Sequence, residues 1–153
     1  MVSKSILLVE DNPDDEELTL MALRKHHIAN EVVVARDGAQ ALDILFGAAP
    51  AAAPAGARPE PGELPEVVLL DLKLPKVDGL EVLRRVRADP RTRLLPVVIL
   101  TSSAEDADRL AGYALGANSY VQKPVDFVEF ADAVRQLGLY WLVLNMPAPA
   151  GKG

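Results

Sequence analysis

Short strand-like runs recur along the chain, and four of them end in residues able to do chemistry. Ile6-Leu7-Leu8-Val9 leads into Glu10-Asp11, and Val67-Val68-Leu69-Leu70 leads into Asp71. Val97-Val98-Ile99-Leu100 leads into Thr101-Ser102, and Ser119-Tyr120-Val121-Gln122 leads into Lys123-Pro124. Apolar runs this short, bounded by breakers, read as strands buried on both faces of a parallel sheet. A fifth run, 31–35, is β-branched and reads as one more strand.

Between the strands the apolar positions take helical spacing. A first helix is predicted over 13–27, with capping signals in Asn12-Pro13-Asp14-Asp15 and with Leu18, Met21, Ala22 and Lys25 in register. A second covers 39–46, with Ala41, Leu42 and Leu45 on one face. A third covers 79–88, with Leu80, Val82, Leu83 and Val86 inward and Asp89-Pro90 as its stop. The fourth, over 104–115, turns Ala107, Leu110, Ala111 and Ala114 inward. Gly112 sits inside it at a cost of about 1 kcal/mol relative to Ala, which makes it the loosest of the set. The fifth starts at an Asp126 cap, with Glu129 three residues on and Phe127, Phe130, Ala131, Val134 and Leu137 in register. Strand and helix alternating five times define an α/β class, a doubly wound sandwich in one domain of residues 1–146.

Two stretches break the pattern. Residues 47–65 are Ala, Pro, Gly and Glu without periodicity, and they read as a flexible surface insert between the second helix and the third strand. Residues 139–144 are six apolar residues in succession, more than one helix face can bury. The surplus fits a dimer contact, and the other reading is a tail folded over the domain's own core. Residues 147–153 read as a frayed, disordered end.

Composition narrows the function. The chain has no cysteine, which excludes disulfides, thiol catalysis and thiolate metal sites and makes the cytoplasm the default compartment. A net charge of −6 argues against nucleic acid as a partner. Arg84, Arg85 and Arg87 form the one basic cluster and read as a solvated helix face. No apolar run approaches the roughly 20 residues needed to span a membrane. His26-His27 is a poor metal site, because adjacent helical residues point apart.

In an open parallel sheet, ligands bind outside the carboxyl ends of the strands. If the four runs are parallel neighbours, that edge collects three carboxylates, a hydroxyl and an amine. Such a set offers oxygens for a hard divalent cation, a nucleophile, and two donors for an anion. Each residue alone has an ordinary explanation: a strand-end Asp is usually a cap or turn, Lys123 a counter-ion, Tyr120 half-buried packing. A flavin module is disfavoured, since Glu10-Asp11-Asn12 would repel a flavin phosphate and no phosphate-cradling loop follows the first strand. A metal-dependent phosphatase usually has a second acid two residues after its aspartyl nucleophile, and here that residue is Lys73. A scaffold that dimerises without accepting phosphate leaves the acceptor set unexplained.

From about Ile6 to Leu137 the sequence resembles the response-regulator receiver domains of two-component signalling. The resemblance rests on Val9-Glu10-Asp11, Asp71 with Pro75 and Asp78-Gly79, Thr101-Ser102, and Lys123-Pro124 in combination. More narrowly, Val9-Glu10-Asp11-Asn12-Pro13-Asp14-Asp15, the stretch from Leu70 to Gly79 and Leu137-Gly138-Leu139-Tyr140-Trp141 resemble single-domain regulators of the phytochrome-associated type. The family implies a flavodoxin-like sheet of order 2-1-3-4-5. It implies Asp71 as phosphoryl acceptor, and Mg²⁺ held by Asp11, Asp71, Glu10 through water, and the backbone carbonyl of Lys73. It implies Lys123 as the phosphate-binding cation, aimed by a cis Lys123-Pro124 bond, with Thr101 as switch and Tyr120 as its aromatic follower. It implies a sensor histidine kinase as donor and no enzymatic turnover of its own; no output domain is expected, since none follows residue 153. The narrower resemblance implies that the kinase is of phytochrome type. The homodimer is then expected through the fourth helix, fifth strand, fifth helix and the 137–144 tail.

Overall fold

The computed structural model describes residues 5–25, 31–47 and 64–149. Five strands, β1 (Ser5–Val9), β2 (Glu31–Ala35), β3 (Val67–Leu70), β4 (Val97–Thr101) and β5 (Ser119–Gln122), form one parallel sheet in the order β2-β1-β3-β4-β5. The helices between and after them are α1 (Pro13–Lys25), α2 (Gly38–Phe46), α3 (Gly79–Ala88), α4 (Asp106–Ala114) and α5 (Phe127–Leu139). A π-helical turn, Tyr140–Leu144, continues α5. The expected order and the alternation both hold.

Side chains alternate across each strand, so the sheet feeds two cores. Leu7, Val9, Val68, Leu70, Val97 and Ile99 face α2 and α3, where Ala41, Leu42, Leu45, Val82, Leu83 and Val86 are buried. Ile6, Leu8, Val67, Leu69, Val98 and Leu100 face the other way, onto Ala22 and Leu23 of α1 and Phe130 and Val134 of α5. All residues of β3 and β4 are buried, as covering on both faces requires. Register carries this order to the site: Val9 pairs with both Ala35 and Leu70, so the residues that follow β1 and β3 emerge side by side.

The helices depart from expectation where the pattern was thin. In α4 the inward residue is Gly112, while Leu110 is 73% exposed and Ala107 and Ala114 face solvent. With small residues on every side, α4 offers no apolar stripe to set its rotation. The close approach of its backbone at Gly112 sets it instead, since a Cβ there would lie 2.7 Å from Ile99 Cδ1. Phe127, expected inward, is 69% exposed in the first turn of α5, whose cap is as predicted: Asp126 accepts from the amides of Val128 and Glu129. In α1 the buried face is Thr19, Ala22 and Leu23, not Met21. The basic cluster is divided. Arg84 and Arg85 are solvated partners of Glu81, whereas Arg87 is a half-buried brace. Its guanidinium donates to the carbonyls of Leu95 and Gly116 and to Asn118 Oδ1, a planar fork joining α3 to the ends flanking β4 and β5.

Part of the tail folds back over the domain's own core, and part of the apolar surplus stays exposed. Trp141 and Leu142 are buried against the α1–α5 core, while Tyr140, Val143 and Leu144 remain at least half exposed. Most of the 47–65 insert, the His26-His27 pair and residues 150–153 lie outside the described residues. Among the described residues, no helix is long and apolar enough to cross a membrane.

Candidate functional site

Each functional side chain is delivered by the end of a strand or the start of a helix. Glu10 follows β1, with its amide donating to Ala35 O of the neighbouring strand at 2.9 Å. Asp71 follows β3, with its amide donating to Val9 O at 3.1 Å. That ladder bond fixes Asp71 beside Glu10. The loop after Asp71 folds back tightly, because the amide of Gly79 donates to Leu72 O at 2.9 Å. A Cβ at Gly79 would come within 2.2 Å of the Asp71 carbonyl oxygen, so only glycine lets α3 start against the site. The Asp78-Gly79 turn signal thus has a second meaning, close backbone approach. Lys123 follows β5, with its amide donating to Thr101 O at 2.7 Å.

Glu10, Asp11 and Asp71 each offer a carboxylate oxygen, all within 4.8 Å of one another. Oxygens so spaced suit a hard divalent cation, whose ligands lie at roughly 2.0–2.6 Å from the metal. The donor set, all carboxylate oxygen and no nitrogen or sulfur, fits the same class of ion. Asp11 is exposed while Glu10 and Asp71 are buried, which leaves one side open to water and to a ligand.

Lys123 binds the acids together. Its Nζ donates to Glu10 Oε1, to Asp15 Oδ2 at 2.9 Å and to Asp71 Oδ2 at 3.1 Å, from a side chain only 7% exposed. Burial works against its charge, yet the bonds to Glu10 and Asp15 and the field of Asp71 and Glu10 outweigh burial and hold the ammonium above its usual range. Burial also pushes the Glu10 carboxyl up to about 7, against the pull of Lys123. The Lys123–Pro124 bond is trans, as are the other peptide bonds among the described residues, in contrast to the expected cis form. Strand placement and a four-carbon stem bring the ammonium to three acids without it.

Thr101 is fully buried at the end of β4, and its Oγ1 accepts from the amide of Ser103 at 3.4 Å. Tyr120 is half-buried, and its hydroxyl donates to Ser103 O at 3.0 Å, on the loop that leaves Thr101. The side chain of Lys73 turns away from the acids and pairs with Asp108 on α4 at 3.3 Å. Asp108 also accepts from Ser103 Oγ at 2.7 Å, and that bond, with Lys73 beside it, holds its carboxyl below the usual carboxylate range. The loop after Asp71, the loop after Thr101, α4 and Tyr120 are therefore joined by one polar chain. The amide of Lys73 donates to Asp71 Oδ1 at 3.4 Å.

Three residues of this arrangement escaped the sequence pattern: Asp15, Ser103 and Asp108. Asp15 reads as a first-turn acid favoured by the helix dipole. A signal was present, however, since Asp15 stands four, seven and eight residues before Thr19, Ala22 and Leu23, the buried stripe of α1.

A parallel sheet of this order, with acids and a lysine gathered at its carboxyl edge, has the arrangement of the receiver class. The chain belongs to the response-regulator receiver domain family, whose model matches residues 6–135. It is similar to the response regulator Rcp1 of Synechocystis sp., 34% identical over 95% of this chain and 94% of that protein. The solved Mn²⁺-bound form of Rcp1 superposes with a TM-score of 0.80 at 33% identity, covering 95% of this chain and 99% of that one. The phosphorylated cyanobacterial phytochrome response regulator RcpA gives a TM-score of 0.81 at 34% identity, covering 95% and 98%. The bacteriophytochrome response regulator AtBRR is 53% identical, with a TM-score of 0.65, covering 94% and 99%. Receiver domains take their phosphoryl group from a sensor histidine kinase, and this chain is one of them.

Proposed function

We propose that Asp71 is the phosphoryl acceptor of this receiver, with Mg²⁺ as its cation. One observation carries the reading: Lys123 Nζ lies 3.1 Å from Asp71 Oδ2 while Glu10 and Asp11 oxygens stand within 4.8 Å of the same carboxylate. Asp71 attacks the phosphorus through a carboxylate oxygen, and the bond to the phosphohistidine nitrogen of the kinase breaks as that nitrogen leaves with the electron pair. Lys123 supplies a point charge for the transferred oxygens. Glu10, Asp11, Asp71 and the backbone carbonyl of Lys73 would hold the ion, which supplies charge neutralisation when bound. The new dianion draws the Thr101 hydroxyl, and Tyr120 leaves Ser103 O for the space vacated inside.

The same reading takes in partners. The kinase is of phytochrome type, supported by the likeness to RcpA and AtBRR, and kinase and receiver meet in the cytoplasm. The chain works as a homodimer through α4, β5, α5 and the 137–144 tail, supported by the exposed Leu110, Tyr113, Tyr140, Val143 and Leu144.

Incubation with acetyl phosphate and Mg²⁺, followed by intact-mass measurement, tests the chemistry. The wild type gains one phosphoryl unit and Asp71→Asn gains none. Equal labelling of both would move the acceptor elsewhere, and labelling of neither would end the reading.

A further inference from the structure

An ammonium has three donors, and those of Lys123 are taken by Glu10, Asp15 and Asp71. Two of these acids have other work in the chemistry proposed above, on which this inference rests. Glu10 stands in the carboxylate set for the cation, and Asp71 gives an oxygen to phosphorus. Asp15 has no such second duty. Its backbone is also fixed independently of the reaction. The Asp15 amide donates to Asn12 Oδ1 at 3.1 Å, and its carbonyl accepts from Thr19 Oγ1 at 2.7 Å.

We propose that Asp15 is the positioning residue that keeps the Lys123 ammonium in place while Asp71 and Glu10 change partners. Lys123 sits on a flexible stem, and without the 2.9 Å contact to Asp15 its remaining acceptors all belong to the reacting set. Loss of Asp15 also has a second, opposing consequence. Removing one negative charge from an acidic rim eases the approach of an anionic phosphoryl donor. The two effects fall on different kinetic parameters. Anchoring acts on the rate at saturating donor, whereas rim charge acts on the donor concentration needed for half saturation.

The test follows phosphorylation by acetyl phosphate with Mg²⁺ over time by intact mass, in wild type, Asp15→Asn, Asp15→Glu and Asp14→Asn. Asp14 is exposed in the same helical turn and carries the same charge, so its variant reports charge and helix dipole alone. Asp15→Asn is expected to lower the saturated rate on the order of tenfold, below the roughly hundredfold that a 1 Å misplacement can cost. Its half-saturating donor concentration stays level or falls. Asp15→Glu recovers most of the rate, and Asp14→Asn matches wild type in saturated rate, with a half-saturating donor concentration that stays level or falls. A saturated rate for Asp15→Asn equal to wild type, or an equal loss in Asp14→Asn, would overturn the assignment.

A second arm needs no turnover. The Lys123 ammonium protons, held by three carboxylates, give a slowly exchanging signal in ¹H–¹⁵N spectra of wild type and Asp14→Asn, and that signal broadens away in Asp15→Asn. Its persistence in Asp15→Asn would also overturn the assignment. If wild type takes up no phosphoryl group, the phosphoacceptor reading fails by itself, and the ammonium signal still decides the role of Asp15.

Discussion

Glu10 is the residue at which folding and cation binding pull in opposite directions. Burial raises its carboxyl to about 7 from an ordinary value of 4.5, so the folded protein holds that proton more tightly than the unfolded chain does. Stability of the metal-free protein should therefore fall as pH rises from about 4.5 to 7 and then level off, by on the order of 3 kcal/mol. A divalent cation needs the ionised form, so its affinity rises over the approach to pH 7 and its binding releases a proton. Urea midpoints in EDTA at pH 5 and pH 7.5 measure the first effect, and Glu10→Gln removes it. Added Mg²⁺ restores the midpoint of wild type at pH 7.5 but not that of Glu10→Gln. A wild-type midpoint flat across this range would show that Lys123, not burial, governs the carboxyl. At this scale the sequence disclosed identities better than partners. Glu10, Asp71 and Lys123 stand out because each follows a strand, whereas the contact from Asp15 to Lys123 spans 108 positions and no local pattern announces it.

Among the elements, α4 owes its seat to one missing side chain. Gly112 lets its backbone rest on β4, and a methyl group there would meet Ile99 Cδ1 at 2.7 Å and the Tyr120 ring at 3.6 Å. Gly112→Ala gains about 1 kcal/mol of helix propensity. Overpacking a filled core costs about 1–3 kcal/mol, so the net effect is loss of up to about 2 kcal/mol. Ile99→Val removes the opposing methyl, and in that background Gly112→Ala should become neutral or stabilising. A double-mutant cycle of denaturant midpoints checks this; a Gly112→Ala cost left unchanged by Ile99→Val would mean that α4 is seated by something else. The contrast with the other elements explains what the sequence could tell. Strands β1, β3 and β4 have uniform apolar runs, and α3 has Val82, Leu83 and Val86 on one stripe, so their faces follow from spacing. In α4 the small residues Ala107, Ala111 and Ala114 are nearly interchangeable in packing. Spacing alone therefore misplaced Leu110.

Over the whole molecule, polar chemistry collects at the carboxyl edge of the sheet and apolar surplus collects elsewhere. Burying Trp141 and Leu142 anchors the tail to the α1–α5 core, and that anchoring holds Tyr140, Val143 and Leu144 outward on a continuation of α5. Asn145 closes the turn by donating to Tyr140 O at 2.6 Å, the wide spacing of a π-helix. A turn fixed in this way presents its apolar residues at little further entropic cost, which favours association over a loose end. Leu110 and Tyr113 on α4 form a second exposed apolar site, joined to Asp71 by the chain of Tyr120, Ser103, Asp108 and Lys73. The two sites predict different behaviour. Val143→Glu with Leu144→Glu should turn a dimer into a monomer in sedimentation at micromolar concentration. Phosphorylation by acetyl phosphate should be unchanged, because the acids and lysine of the site are held by strand ends and α1 rather than by the tail. Leu110→Glu should weaken association mainly in the phosphorylated protein, since α4 is the element tied to the loop after Asp71. If the tail variant stays dimeric while Leu110→Glu dissociates both forms, the contact lies on α4 alone, and the outward tail residues serve another partner.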